Sequence, residues 1–208
     1  MFDLTRLIHL AAGLDQSRAD AFIDRMRDVL ATADRHLVAP TLAGSRNGGD
    51  ILVHARFRTG KSRADAEPNL DGLLNSLLVT HVDGVDYEAE PASPPESPQS
   101  VYRTLLLAVA PQTPAEVVAA FESDLLLMPR YVHTIRTCQL SRPTRTVGAS
   151  RWTHVFEQEF TDEAGLMGAY LMHPIHWARV DRWFDPECPE FIVRERICHS
   201  FCSMKEIR

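Results

Sequence analysis

A chain of 208 residues with 45% hydrophobic and 24% charged side chains has an ordinary globular composition, enough for one large domain or two of roughly 100 residues. Its formal net charge of −6, with no cluster of Lys and Arg, excludes a phosphate-binding surface, so no nucleic-acid partner is expected. Apolar runs such as Leu125-Leu-Leu-Met128 are too short to cross a bilayer, and Met1 to Arg6 shows no basic-then-apolar leader, so the expected location is cytoplasmic, with no membrane partner.

Residues 5–12 read as a strand, and Ser17-Arg-Ala-Asp20 resembles a helix-capping box. Phe22, Met26, Val29, Leu30 and Ala33 follow at helical spacing. Residues 36–42 and 51–57 are predicted strands, 61–67 a solvated polar loop, 69–78 a short helix and 79–87 a further strand. Residues 91–100 hold four prolines and three serines, the composition of an extended linker. Beyond it, 101–109 is a predicted strand, Thr113-Pro-Ala-Glu116 a capping box, and Val117, Val118, Phe121, Leu125 and Met128 one apolar helix face. Strands over 132–140 and 151–160, a helix from about Asp162 toward His173 and a strand over 191–202 complete the chain.

Both halves thus read β-α-β-β-α-β, an α+β class of tandem ferredoxin-like repeats. Each sheet carries helices on one face only, so packing the bare faces together gives an intramolecular α+β barrel. The domains expected are 1–90, a linker over 91–100, and 101–208. Such a pseudo-dimer within one chain is compatible with further homodimerisation.

The four cysteines, Cys138, Cys188, Cys198 and Cys202, form no CxxC pair, so buried reduced thiols are expected rather than disulfides or a thiolate metal site. The chemistry concentrates in Ala169-Tyr-Leu-Met-His-Pro-Ile-His-Trp177. Tyr170 and His173 are three apart and share a helix face. Pro174 must break or kink that helix, making His173 and Pro174 a structural corner that re-aims His176. Histidine, with a reference pKa of about 6.5, suits a general base, and a phenol or guanidinium suits an enolate donor. His176 is therefore the expected base and Tyr170 the positioning donor, with Arg103 as anchor for a carboxylate or enolate oxygen. His154 is placed on one strand face with Trp152, Phe156 and Phe160, and Leu105 is grouped with these as a substrate-binding wall. Zinc held by His173, His176 and His154 would lack both the helical HxxxH spacing and a carboxylate or thiolate partner, so no metal is expected. In the first half, His9, His36, His54 and His81 fall one per strand, with no acid or base beside them in the sequence. Arg6 occupies the place of Arg103, as a polar contact or a solvated strand end.

Tyr102-Arg-Thr-Leu-Leu-Leu-Ala-Val109, Trp152-Thr-His-Val-Phe-Glu-Gln-Glu-Phe160 and Ala169-Tyr-Leu-Met-His-Pro-Ile-His176 together resemble the stress-responsive A/B barrel (Dabb) family. Its recurring pattern is a strand ending in an acidic residue and Phe, a helix, and Tyr-x-x-His-Pro-x-His. The resemblance spans about residues 101–203; the first half shares only the plan. It implies a barrel of two sheets, usually dimeric and here fused. It also implies likeness to a plant polyketide cyclase that works without metal or organic cofactor. The Tyr and His pair of that enzyme matches Tyr170 and His176, and its third-strand histidine matches His154; where it has a histidine on the first strand, this chain has Arg103. The expectation is a cofactor-independent cyclase, lyase or isomerase acting on a small enolisable carbonyl compound. The alternative is a non-catalytic barrel that is stress-associated or binds a small hydrophobic ligand. Haem-dependent or oxygen-dependent chemistry, found in other α+β barrels, has no axial ligand marked in the sequence.

Overall fold

The computed structural model describes residues 1–90 and 99–205; most of the expected linker, 91–98, lies outside the described residues. The chain order is β1 (Phe2–Leu10), α1 (Gln16–Val29), β2 (Arg35–Pro40), β3 (Ile51–Phe57), α2 (Gly60–Leu74), β4 (Val79–Glu88), β5 (Val101–Leu107), α3 (Ala115–Tyr131), β6 (Ile135–Ser141), β7 (Pro143–Val147), β8 (His154–Phe160), a broken helical stretch, and β9 (Cys198–Ser203). One antiparallel sheet has the order β2-β3-β1-β4-β7 and the other β6-β8-β5-β9. The expected α+β tandem is therefore present.

Strand alternation sorts side chains onto two faces. In the first sheet Leu4 and Ile8 pack outward against Phe22, Ile23 and Met26 of α1 and Leu70 of α2. In the second, Val101, Leu105, Phe156 and Phe160 meet Phe121, Leu125 and Met128 of α3. The inward faces pack on each other through Leu7, Leu52, Val85, Leu106 and Val155. Each such buried side chain contributes about 1.5–3 kcal/mol; the outer two layers build each half, and the layer between the sheets holds the halves together.

Four local expectations are corrected. The polar stretch 61–67 is helical, because Thr59 caps the backbone N–H of Ser62 at 3.1 Å and Lys61 pairs with Asp65 one turn on at 2.8 Å. The first helix is capped by Asp15, which accepts from the Arg18 N–H at 2.9 Å, two residues before the expected Ser17. No capping box forms at Thr113, whose hydroxyl donates back to the Ala110 carbonyl at 2.7 Å while α3 starts after Pro114. The last strand begins only at Cys198.

The strand β7 was not expected, and it crosses between the halves. Its residues Pro-Thr-Arg-Thr-Val carry no buried alternation, yet they pair with β4 in the other sheet, Val85 opposite Thr146 and Asp86 opposite Arg145. The first half returns the exchange. Its connection between β2 and β3 lies along β9, with Leu42 N–H on the Phe201 carbonyl at 2.9 Å and Arg46 and His199 exchanging bonds at 2.7 and 2.8 Å. Each half thus covers an edge of the other's sheet, which removes an exposed pairing edge.

Candidate functional site

After β8 the chain forms a π-helical segment, Gly165–Tyr170, breaks, and resumes as a second one, His176–Val180. The start is capped by Asp162, whose carboxylate accepts from the Gly165 N–H at 2.7 Å. At the break, His173 Nδ1 accepts from the Ile175 N–H at 3.2 Å, and Pro174 takes the first position of the new segment, where its missing N–H costs nothing. The corner therefore ends one helical run and starts another. Gly165 lets the first run lie against the loop before β6. A Cβ there would fall 2.7 Å from Thr161 Oγ1 and 2.9 Å from Thr134 Cβ. Gly165→Val is accordingly expected to cost about 1–3 kcal/mol by overpacking, measured as a lower urea midpoint with unchanged slope.

The π geometry has a direct consequence. The Asp181 N–H bonds to the His176 carbonyl five residues back, so the two side chains come together although an α-helix would separate them. His176 Nδ1 lies 3.0 Å from Asp181 Oδ1. The ring nitrogen is close but not aligned for a hydrogen bond, so the contact is an electrostatic one. The His176 ring stands edge-on to Tyr170 with centroids 4.9 Å apart.

Beneath them, on the outward face of the second sheet, lies Arg103. Its guanidinium carbon sits 5.1 Å from the Tyr170 ring centroid and 5.9 Å from that of Phe156. One Nη donates to Gln158 Oε1 at 2.5 Å. Arg103 is 4% exposed, and among the described residues no carboxylate pairs with it. On the neighbouring strand His199 stands opposite Leu105 and Phe201 opposite Arg103, so His199 joins the same face. Arg103 Nε, Gln158 Nε2 and His199 Nε2 are all buried without a hydrogen-bond partner. Each such atom costs about 1–3 kcal/mol when left unsatisfied, so the three on this face are candidate contacts for a polar group.

Charge and burial set the protonation states. His199 is pushed down to about 2, first by burial and then by the charges of Arg103 and His176. His176 is also lowered, by burial first, with Asp181 opposing and Arg103 adding to it. Tyr170 is raised by burial, against the pull of Arg103. Cys138, in the same neighbourhood, is pushed up to about 12 by burial and keeps its proton. Because the folded chain keeps His199 neutral while the unfolded chain protonates it near pH 6.5, stability falls as pH drops below 6.5. His199→Phe is expected to flatten that slope between pH 6.5 and 4.5, read from melting temperatures across pH.

Not every expected residue converges here. Tyr170, His176, Arg103, Leu105 and Phe156 share one layer between sheet and helices, outside the space between the sheets. His154 faces α3, with Nε2 3.0 Å from Glu122 and Nδ1 2.8 Å from Thr153 Oγ1, so both nitrogens are engaged. Its pKa is lowered by burial, against the pull of Glu122. Trp152 does not share its face: it lies two residues before His154 outside the regular strand, packs in the core between the sheets, and meets the Arg196 guanidinium at 5.5 Å. Asp181, His199 and Gln158 were missed. Strand alternation from Phe201 would have placed His199 on the outward face; nothing in the sequence signals the π turn that recruits Asp181.

The first half shows the counterpart of Arg103. Arg6 is not a solvated strand end: it is 2% exposed and donates to Asp86 at 2.7 Å and to the Val85 and Thr5 carbonyls at 2.8 and 3.0 Å. Its charge is paired with Asp86; that of Arg103 has no carboxylate partner among the described residues.

Comparison with known proteins agrees with this architecture. An anthrone oxidase-like protein of known structure is 12% identical, with TM-score 0.69, covering 100% of this chain and 92% of its own. A chlorite dismutase variant from Candidatus Nitrospira defluvii is 11% identical, with TM-score 0.58, covering 96% of this chain and 90% of its own. At such identities the likeness is one of fold. No curated protein sequence matches the chain. Residues 101–198, the segment that holds the Arg103, Tyr170 and His176 cluster, match the family described as Stress responsive A/B Barrel Domain.

Proposed function

We propose that this chain is a cofactor-independent acid/base enzyme of the cyclase, lyase or isomerase kind, acting on an enolisable carbonyl compound that carries an anionic group. The observation that carries the reading is the buried Arg103 guanidinium, without a carboxylate partner among the described residues and flanked by unpaired polar atoms. A carboxylate or enolate oxygen would pair with its free Nε edge. His176, kept neutral by burial and backed by Asp181, is the proposed base, removing a proton beside the carbonyl. Tyr170, which keeps its proton, is the proposed donor to the developing enolate. Leu105 and Phe156 supply apolar contact beneath the substrate. His154, tied to Glu122 and Thr153, has a positioning role at the end of the strand. Trp152 is left out of the substrate wall.

An anion at Arg103 would also remove one cause of the low His199 pKa, so ligand binding raises the basicity of a second imidazole. The test is proton exchange in D2O beside the ketone of a 5-oxoalkanoate, followed by NMR. The chain is expected to catalyse it, with an acid limb below pH 6.5 because His176 is lowered from that value. His176→Ala should lose about 100-fold or more, the usual worth of a positioned base, and Tyr170→Phe should lose activity while folding normally. If both variants exchange at the parental rate, the mechanism is wrong.

A further inference from the structure

The space between the two sheets holds a second cluster of titratable groups, on the face of β8 opposite to the candidate site. Asp3 comes from β1, His54 from β3 and Glu157 from β8, with exposures of 0%, 2% and 6%. One ligating atom of each lies within 4.8 Å of the other two. His54 Nε2 is 3.4 Å from Asp3 Oδ2 and 3.2 Å from Glu157 Oε1. It is hydrogen-bonded to neither, because its ring direction is aligned with neither oxygen.

We propose that Asp3, His54 and Glu157 form a binding site for one divalent first-row metal cation, of the Zn2+ or Mn2+ class, inside the barrel. Three features carry this. A cation bound at about 2.0–2.1 Å in a tetrahedral set holds its donors about 3.3 Å apart, the spacing His54 already keeps from both oxygens. The carboxylates are also oriented from behind. Arg56 donates to both oxygens of Asp3 at 2.6 to 3.1 Å, Gln139 Nε2 to Glu157 Oε2 at 3.2 Å, and the Tyr102 hydroxyl to Glu157 Oε1. Such partners fix metal ligands and tune their basicity. Finally, Arg56 offsets one of the two carboxylates and leaves one negative charge beside a buried imidazole nitrogen that has no hydrogen-bond partner. One imidazole and two carboxylates suit zinc or manganese better than the softer cations that thiolates select. The donors come from both halves, so the ion would also clip the two sheets together.

The site is tested on the whole chain, dialysed against a chelator and then titrated with Zn2+ or Mn2+. The expected result is one equivalent of metal per chain by elemental analysis. At 100-fold excess over Kd the melting temperature should rise by roughly 5–10 °C. His54→Gln and Glu157→Gln should each weaken binding about 100-fold, whereas Arg103→Met and His176→Ala, on the opposite face, should leave it unchanged. If the His54 variant fails to fold, the unmodified chain still decides. Absence of stoichiometric metal and of any thermal shift with both ions overturns the proposal and leaves His54 as a structural side chain between two acids. Metal binding that survives His54→Gln in a folded chain overturns it equally, since the ion then sits elsewhere.

Discussion

Arg103→Met is expected to yield a chain that folds, melts no lower than the parent, and has lost the capacity to bind an anionic ligand at this layer. The stability half follows from the cost of burying a charge. Desolvating a guanidinium costs several kcal/mol even after relaxation. Against that, Arg103 gains two ring contacts and one hydrogen bond to Gln158, worth about 1–2 kcal/mol each. No carboxylate among the described residues closes the difference, so an apolar side chain of similar length is expected to raise stability by about 1–3 kcal/mol. The functional half has the opposite sign, because the ligand's anion would lose its charge-assisted bonds and affinity should fall about 100-fold or more. A substitution that stabilises the fold while removing function is the signature of a site held against the interest of stability. Its companion effect is electrostatic. With the cation gone, His199 and His176 should both titrate higher, since Arg103 is among the causes that lower each.

The corresponding change in the first half should behave in reverse. Asp86→Asn is expected to destabilise by about 3–5 kcal/mol, the usual cost of stranding a buried partner, and to leave ligand binding in the second half intact. Asp86 accepts from Arg6 at 2.7 Å and Arg63 at 2.6 Å, with Arg145 Nε 3.6 Å away, so one carboxylate serves three cations. Arg6 is wholly buried, and burial already pulls its pKa below the usual guanidinium value despite Asp86. Without Asp86 no carboxylate among the described residues remains within bonding distance of Arg6. Since a domain is stable by only about 5–15 kcal/mol, chemical denaturation should show the loss plainly. Two arginines at equivalent strand positions thus have different fates. One holds α2, β1, β4 and β7 together; the other, without a carboxylate partner among the described residues, is the proposed anchor for a ligand.

Much of this was legible in the sequence where periodicity is strong. The alternation of β1, β3, β5 and β8 and the apolar face of α3 placed the layers, and the Tyr-x-x-His-Pro-x-His segment placed the corner at Pro174. Features that depend on partners from the other half were not legible. The strand β7 carries polar residues with no period of its own and exists because β4 offers it an edge. His54 looked isolated because its acids are 51 residues before it and 103 after it in the chain, on β1 and β8. Asp181 was invisible for a different reason. Helical spacing of 3.6 puts a residue five positions from His176 on another face, and only the π turn brings it back. Trp152 was misplaced by carrying strand alternation two residues past the end of the strand.

The central claim is that Arg103 is a cation reserved for a ligand. Calorimetric titration with an apolar carboxylate, such as a hydroxylated benzoate bearing an alkyl chain, measures it most directly when run on the parent, Arg103→Met and Asp86→Asn. Saturable 1:1 binding to the parent and to Asp86→Asn, lost in an Arg103→Met chain that melts no lower than the parent, is the result predicted here. Equal binding by the parent and Arg103→Met, or an Arg103→Met chain as destabilised as Asp86→Asn, would contradict it, for Arg103 would then be a structural cation like Arg6.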